Sequence, residues 1–159
     1  MSTIFITGTS TGLGRAAVEL FSAKGWRVIA TMRTPEEETA LGELPGVTLK
    51  QLDVTDPDAI VRVVADTLAE EPVDVLFNNA GYGLAGPFEA ATDEQIVQNI
   101  TTNLLSVMRV TKEFIPHFRE RKSGVILTTT SIGGKVTMPF NSVYHGAKFG
   151  AEGWSEGLS

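Results

Sequence analysis

Short apolar segments rich in β-branched residues alternate along this chain with longer segments of helical periodicity. The apolar segments lie at Thr3–Thr7, Arg27–Met32, Val47–Leu52, Val73–Phe77 and Val125–Thr130. The helical segments lie at Gly14–Lys24, Pro35–Leu44, Pro57–Glu70, Asp93–Arg121 and from about Asn141 onward. Strands and helices that alternate in this way form a parallel sheet with crossover helices on both faces.

Because such crossovers are right-handed, the sheet is predicted to be doubly wound and Rossmann-like. Two helix starts are marked: Pro57 follows Thr55-Asp56, and Thr92 has Gln95 three residues on, which is typical of a capping box. We therefore predict a single α/β domain over residues 1–159.

Composition excludes several classes of function. With 42% hydrophobic and 20% charged residues, the chain is globular rather than disordered. Its net charge of −6 disfavours nucleic acid and anionic membranes as partners. The absence of cysteine excludes disulfides and thiolate chemistry, and two histidines without a carboxylate cluster predict no metal site. Neither a signal-peptide pattern nor a long apolar run is present, so a cytoplasmic location is expected.

A glycine-rich turn, TGTSTGLG from Thr7 to Gly14, joins the first predicted strand to the first predicted helix. Glycines permit a tight turn and let the backbone approach a pyrophosphate, which the amides of a helix N-terminus then bind. The spacing differs from G-x-G-x-x-G, and a glycine-rich turn alone also occurs in ordinary loops. The strand before it and the helix after it favour a dinucleotide site.

This turn resembles the cofactor turn of the short-chain dehydrogenase/reductase family, and four further segments match that family in order. They are Leu52-Asp53-Val54, Asn78-Asn79-Ala80-Gly81, Asn103, and Ser131 followed by Tyr144-x-x-x-Lys148. The resemblance covers essentially the whole chain. It implies cofactor contacts from Gly8, Ser10, Thr11, Gly12, Leu13, Gly14, Asp53, Val54, Asn79, Ala80, Gly81, Tyr144 and Lys148.

The resemblance also implies a catalytic set of Asn103, Ser131, Tyr144 and Lys148. Tyr144 and Lys148 share one helix face, and a nearby ammonium stabilises a tyrosinate, so Tyr144 is the expected proton donor in reduction and base in oxidation. Ser131, at the end of a strand, would polarise the carbonyl. By resemblance, Lys148 also binds the nicotinamide ribose and Asn103 holds a water that relays protons to Lys148.

Each of these residues has an ordinary alternative when it is taken alone. Ser131 could be a turn cap, Asn103 a solvated helix residue, and Asp53 a helix-start residue, with Asp56 an equally good candidate. A lone Y-x-x-x-K is usually an accidental helix pair. Their occurrence together, in the order found in the family, favours a catalytic and cofactor-binding role.

Three further features are assigned less specific roles. His145 points about 100° away from Tyr144 on a helix, so it either lines the entrance or is solvated. His117 is expected to be structural. The apolar loop Tyr82–Pro87 could touch substrate.

The end of the second strand indicates the cofactor. An acidic residue there binds the ribose of NAD, whereas an arginine accepts the 2′-phosphate of NADP. The strand ends in Met32-Arg33, with no acid before Glu36. We therefore predict NADP(H), with Arg33 as determinant, and NAD(H) as the weaker alternative.

The predicted function is hydride transfer between NADP(H) and a small carbonyl or secondary alcohol. The alternatives are a non-catalytic dinucleotide-binding or regulatory domain and a structural oligomer that binds no cofactor. The resemblance implies a homodimer or homotetramer that pairs the helices of Asp93–Arg121 and Asn141–Leu158. Family members continue with two more strands and a substrate-covering segment, so the domain is expected to be C-terminally incomplete and to leave Val125–Thr130 as an open edge.

Overall fold

The computed structural model describes residues 1–158 and contains a five-stranded sheet with helices on both sides. The strands are β1 (Thr3–Thr7), β2 (Arg27–Met32), β3 (Val47–Gln51), β4 (Val75–Asn78) and β5 (Val125–Thr128). The α-helices are α1 (Gly12–Ala23), α2 (Pro57–Glu70), α3 (Asp93–Ile100), α4 (Ser106–Arg121) and α5 (Ser142–Gly157). The predicted strands and most of the predicted helices are confirmed, with ends shifted by one or two residues.

All strand pairs are parallel, and the spatial order is β3-β2-β1-β4-β5. The chain therefore builds outward from β1 in one direction to β3 and then returns to add β4 and β5 on the other side. This order confirms the doubly wound, Rossmann-like prediction. In such a sheet the point between the two directions, beside β1, is where ligands bind.

Strand β1 connects two hydrophobic layers because its side chains alternate between the faces of the sheet. Ile4 and Ile6 pack with Val18 of α1 in one layer. Phe5 packs in the other layer with Phe114 of α4, with ring centroids 5.0 Å apart. All five residues are fully buried. Burial on both faces explains why β1 is apolar throughout.

Both predicted helix starts are confirmed. The Asp56 side chain accepts from the amides of Asp58 and Ala59 at the start of α2. Thr92 and Gln95 form a complete capping box at the start of α3.

The prediction of a helix over Pro35–Leu44 is wrong. Only Pro35–Glu37 forms a single 3₁₀ turn. Glu38 is extended, and its carboxylate accepts from the Leu41 amide and pairs with Arg15 of α1. The Glu38 carboxylate thus binds an amide that a helix would pair with a backbone carbonyl, and Arg15 holds the carboxylate in place. Such side-chain bonds compete with helical hydrogen bonding.

The predicted long helix over Asp93–Arg121 is interrupted. A π-helical turn, Thr101–Leu105, separates α3 from α4. Such a turn contains an extra residue, is rare, and is frequently found at functional sites. Asn103 lies in it and is fully buried.

Strand β5 forms one edge of the sheet in the described residues, as expected. Its Val125 and Leu127 are 56% and 46% exposed, whereas Ile126 packs against the core. One face of this apolar strand is therefore exposed, because no element of residues 1–158 covers it. Among these residues no helix is both long and apolar enough to span a bilayer.

Candidate active site

A cleft of about 720 Å³ opens along the carboxyl ends of the strands. From the sequence-predicted site it brings together Gly8, Ser10, Thr11, Gly12, Leu13, Arg33, Asp53, Val54, Asn79, Ala80, Gly81, Asn103, Tyr144 and Lys148. Two predicted residues, Gly14 and Ser131, do not line it. The cleft spans β1 and β4, where the order of the sheet reverses.

The glycine turn forms the floor of the cleft at the N-terminus of α1. Gly8 and Gly12 have φ values of +69° and +59°, a left-handed conformation that glycine adopts without strain. Thr11 precedes α1 without a side-chain cap, and the first turn carries no acidic residue. The free amides of this helix start therefore face a site that suits an anion.

Gly14 holds the turn against α1 rather than lining the cleft. A Cβ at this position would overlap the Gly8 carbonyl oxygen and lie 2.5 Å from the Asn79 Nδ2. The absence of a side chain at Gly14 therefore allows the close approach of helix and turn, and its cofactor contact stays a prediction.

Asn79 joins the glycine turn to the end of β4. Its side-chain amide donates to the carbonyl oxygens of Thr7 and Gly8, at 3.1 and 3.0 Å. Its backbone amide and that of Ala80 donate to the Thr7 hydroxyl, at 3.0 and 3.1 Å. Six polar groups are thus tied across two strands, which fixes the floor of the cleft.

The outer end of the cleft lies at β2 and β3. Arg33 is exposed there and forms no ion pair within residues 1–158; its carbonyl accepts from Gln51. Asp53 turns one carboxylate oxygen to the amide and hydroxyl of Thr55, at 2.8 and 2.7 Å. The carboxylate thus also closes a local turn, while Asp56 caps α2, so the two aspartates have different roles.

Asn103 ties the π-helical turn to the wall of the cleft. Its amide donates to the Tyr82 carbonyl at 2.9 Å, and its Oδ1 accepts from the Tyr82 amide at 3.2 Å. A Cβ at Gly81 would lie 2.7 Å from this Oδ1 and 3.5 Å from the Lys148 Nζ. Gly81 therefore allows both polar groups to approach the backbone of the loop.

Tyr144 and Lys148 lie on one face of α5 and both line the cleft. The Lys148 Nζ is 5.9 Å from the centroid of the Tyr144 ring and donates to the Thr129 carbonyl at 2.9 Å. Lys148 is only 4% exposed, and this burial lowers the pKa of its ammonium. A cation held beside a phenol in this way can stabilise a tyrosinate and exchange protons with it.

Ser131 lies beside the cleft at the start of a 3₁₀ turn, Ile132–Gly134. Its hydroxyl oxygen accepts from the Gly133 amide at 3.0 Å. The turn packs against α5, since a Cβ on Gly133 would lie 3.2 Å from the Tyr144 Cε1. Ser131 thus caps this turn and also lies on the segment that packs against Tyr144.

The prediction for His145 is wrong, and that for His117 is confirmed. His145 is 4% exposed, and both ring nitrogens bond to backbone atoms of the segment after β5. His117 bonds to the backbone of Val73 at the opposite end of the sheet.

Tyr82 and Gly83, from the loop that could touch substrate, also line the cleft. Several other lining residues were not singled out from the sequence: Met32, Thr55, Gln98, Thr102, Thr129 and Thr130. Thr129 and Thr130 directly follow β5, so their position at a strand's carboxyl end was an available signal. Thr102 lies in the π-helical turn, which the sequence did not reveal, and Gln98 precedes it in α3.

The chain is similar to known proteins along its whole length. The family model for short chain dehydrogenases matches residues 2–159. A 3-ketodihydrosphingosine reductase of Bacteroides thetaiotaomicron is 35% identical over 157 residues, which are 98% of this chain and 56% of that protein. The human 17-beta-hydroxysteroid dehydrogenase type 1 is 36% identical over 98% of this chain and 51% of that protein. The chain thus spans about half the length of these relatives.

Solved structures agree with these relatives. A short-chain dehydrogenase from Streptomyces avermitilis superposes with a TM-score of 0.95 at 36% identity, over 99% of this chain and 60% of that one. An alcohol dehydrogenase from the archaeon Thermococcus sibiricus, complexed with 5-hydroxy-NADP, gives a TM-score of 0.93 at 25% identity, over 99% of this chain and 70% of that one. Together with the glycine turn and the Tyr144-Lys148 pair in one cleft, these matches show that the chain belongs to the short-chain dehydrogenase family.

Proposed function

We propose that this protein transfers a hydride between NADP(H) and a carbonyl or secondary alcohol, with Tyr144 as general acid and base. The observation that carries the proposal is the placement of Tyr144 and Lys148 in the same cleft as an uncapped helix N-terminus. A proton-transfer pair and an anion-binding turn in one cleft suit a dinucleotide and a reacting oxygen.

The chemistry of the cleft fits the cofactor. The free amides at the start of α1 would hold the pyrophosphate, and Gly12 leaves open space where a side chain would intrude. Asp53 and Val54 border the expected adenine end, and Asn79 to Gly81 border the middle of the cleft. When bound, the nicotinamide ring supplies or accepts the hydride.

Arg33 supports a preference for NADP(H) over NAD(H). It lines the cleft at the end of β2, is exposed, and is not engaged by a carboxylate of residues 1–158. A free guanidinium there can bind a 2′-phosphate through two parallel hydrogen bonds.

The remaining residues hold and move a proton. Tyr144 gives its hydroxyl proton to the carbonyl oxygen during reduction and takes it back during oxidation. Lys148 stabilises the tyrosinate and, from its anchor on Thr129, reaches the ribose side of the cleft. Ser131 donates a hydrogen bond to the same carbonyl oxygen. The buried Asn103, which is bonded to the Tyr82 carbonyl, would hold a water that relays protons to Lys148.

The substrate is expected at the mouth of the cleft, where Tyr82 and Gly83 lead into the apolar loop that ends at Pro87. We also propose a cytoplasmic homodimer or homotetramer. The exposed apolar side chains Val97 of α3 and Phe149 of α5, 55% and 43% exposed, suit a subunit interface. Light scattering of the intact protein would test the assembly.

Tyr144→Phe tests the proposed mechanism, because it removes the hydroxyl and keeps the ring. NADPH affinity and melting temperature should persist, while kcat for ketone reduction falls by roughly 10²-fold or more. A cofactor-binding protein without turnover would instead show nucleotide-dependent stabilisation in a thermal melt and no ketone-dependent NADPH oxidation before or after the substitution. Near-normal turnover of the Tyr144→Phe protein would refute the mechanism.

A further inference from the structure

His145 is the residue after the proposed acid, yet its side chain points away from the cleft. Its ring is buried and lies against the segment that follows β5. Nε2 accepts from the Met138 amide at 2.9 Å, and Nδ1 lies 2.8 Å from the Gly133 carbonyl oxygen. Helix α5 is thus joined to two points of one loop by a single side chain.

These two bonds determine the protonation of the ring. An N–H group that donates to Nε2 requires a lone pair there, so Nε2 carries no proton. Nδ1 must then carry the proton of a neutral imidazole and donate it to the Gly133 carbonyl. Both ring nitrogens are satisfied only in this one tautomer.

The Gly133 peptide continues the connection to Ser131. The amide of Gly133 donates to the Ser131 hydroxyl oxygen at 3.0 Å, while the carbonyl of the same residue accepts from His145. One lone pair of the Ser131 oxygen is thereby occupied, so its proton is left to donate elsewhere. A Cβ on Gly133 would lie 2.9 Å from the His145 Nδ1, so glycine is needed for this approach.

We infer that His145 is a positioning residue that sets the distance between Ser131 and Tyr144, the two groups proposed to bind one carbonyl oxygen. The inference rests on the proposed function. Ser131 comes from the loop after β5 and Tyr144 from α5, so their spacing depends on what joins loop to helix. On the N-terminal side of Ser131, Lys148 of α5 bonds to the Thr129 carbonyl. On the C-terminal side, where His145 binds, a further tie is the ion pair of Lys135 with Glu152 and Glu156. Lys135 is solvent-exposed, and exposed ion pairs hold geometry weakly.

The test compares three variants of the intact protein. His145→Leu removes both ring contacts, and His145→Gln keeps one donor and one acceptor on a side chain of similar length. His117→Leu is the matched control, because His117 also bonds to backbone atoms but lies at the far end of the sheet. Steady-state kinetics with NADPH and a ketone, and the Kd for NADPH, are measured for each.

We expect His145→Leu to lower kcat by about 10- to 100-fold, since misplacement by about 1 Å can cost that much. The Kd for NADPH should change less than about twofold, because the loop that carries Ser131 moves while the predicted cofactor contacts on α5 stay in place. His145→Gln should recover most of the lost kcat. His117→Leu should lower the melting temperature and leave kcat unchanged.

A double-mutant cycle shows whether His145 acts through Ser131. In a Ser131→Ala background, His145→Leu should reduce kcat by less than about threefold further, because the positioned group is already absent. Unchanged kcat in His145→Leu, or full additivity with Ser131→Ala, would overturn the inference and leave the proposed function standing. If the unmodified protein shows no turnover, the proposed function fails first and the inference with it.

The connection itself has a readout that does not depend on activity. The imidazole ¹⁵N shifts of His145 should report a neutral ring with the proton on Nδ1 near pH 7. A ring protonated on Nε2, or a mixture of tautomers, would refute the bonding on which the inference is built.

Discussion

Gly14→Ala probes the contact between α1 and the glycine turn. The added Cβ would overlap the Gly8 carbonyl oxygen and lie 2.5 Å from the Asn79 Nδ2. Because the carbonyl is backbone, it can move only if the turn shifts. That shift would disturb the bond from Asn79 to the same oxygen, which measures 3.0 Å.

The expected magnitude follows from two opposing effects. Overpacking of a close contact costs about 1–3 kcal/mol. Replacing glycine by alanine in a helix returns about 0.5–1 kcal/mol, and less in its first turn. With the return near its lower end, the free energy of unfolding should fall by about 0.5–2.5 kcal/mol, which in a domain of this size lowers the melting temperature by roughly 1–10 °C.

The assay is denaturant unfolding together with NADPH titration, with Gly153→Ala as the matched control. Gly153 lies within α5, and a Cβ there would meet nothing within 4 Å. The control should gain about 0.5–1 kcal/mol and bind NADPH normally. Gly14→Ala should lose stability and bind NADPH more weakly, since the amides at the start of α1 move. A Gly14→Ala protein as stable as the control, with unchanged affinity, would refute the packing role.

Three further outcomes are expected. Arg33→Ala should raise the Kd for NADPH by about tenfold or more and leave NADH nearly unaffected, and titration of both cofactors checks this. Lys148→Met should abolish most turnover without lowering the melting temperature, because burial already lowers the pKa of this ammonium and disfavours its charge. Burial opposes ionisation of Asp74, but hydrogen bonds from the Thr3 amide and Arg121 outweigh it and hold the pKa of this carboxyl below its ordinary value. The contribution of Asp74 to stability is therefore complete at pH values above the ordinary pKa of Asp and is lost as the pH falls through its lowered pKa. The difference in unfolding free energy between wild type and Asp74→Asn should accordingly narrow on acidification, which denaturant unfolding at several pH values would measure.

Features encoded within a few neighbouring residues could be predicted from the sequence. The apolar run of β1, the glycine turn and the capping box of Thr92 and Gln95 are local, since each depends on side-chain periodicity or on one backbone conformation. The doubly wound parallel sheet followed from general rules of parallel sheets. Residues predicted at strand ends accordingly line one cleft.

The tertiary structure alone decided what depends on distant partners. Glu38 binds Arg15 of α1 and interrupts a helix that its own neighbours would permit. The π-helical turn around Asn103 bonds to Tyr82 on the loop after β4, and nothing in the local sequence encodes it. His145 is polar and sits beside Tyr144 in sequence, yet the loop after β5 offers it one acceptor and one donor, and satisfied hydrogen bonds make its burial possible. Local patterns determine most of the elements, whereas the pairing of polar groups between elements determines where a helix is interrupted and which side chains face the cleft.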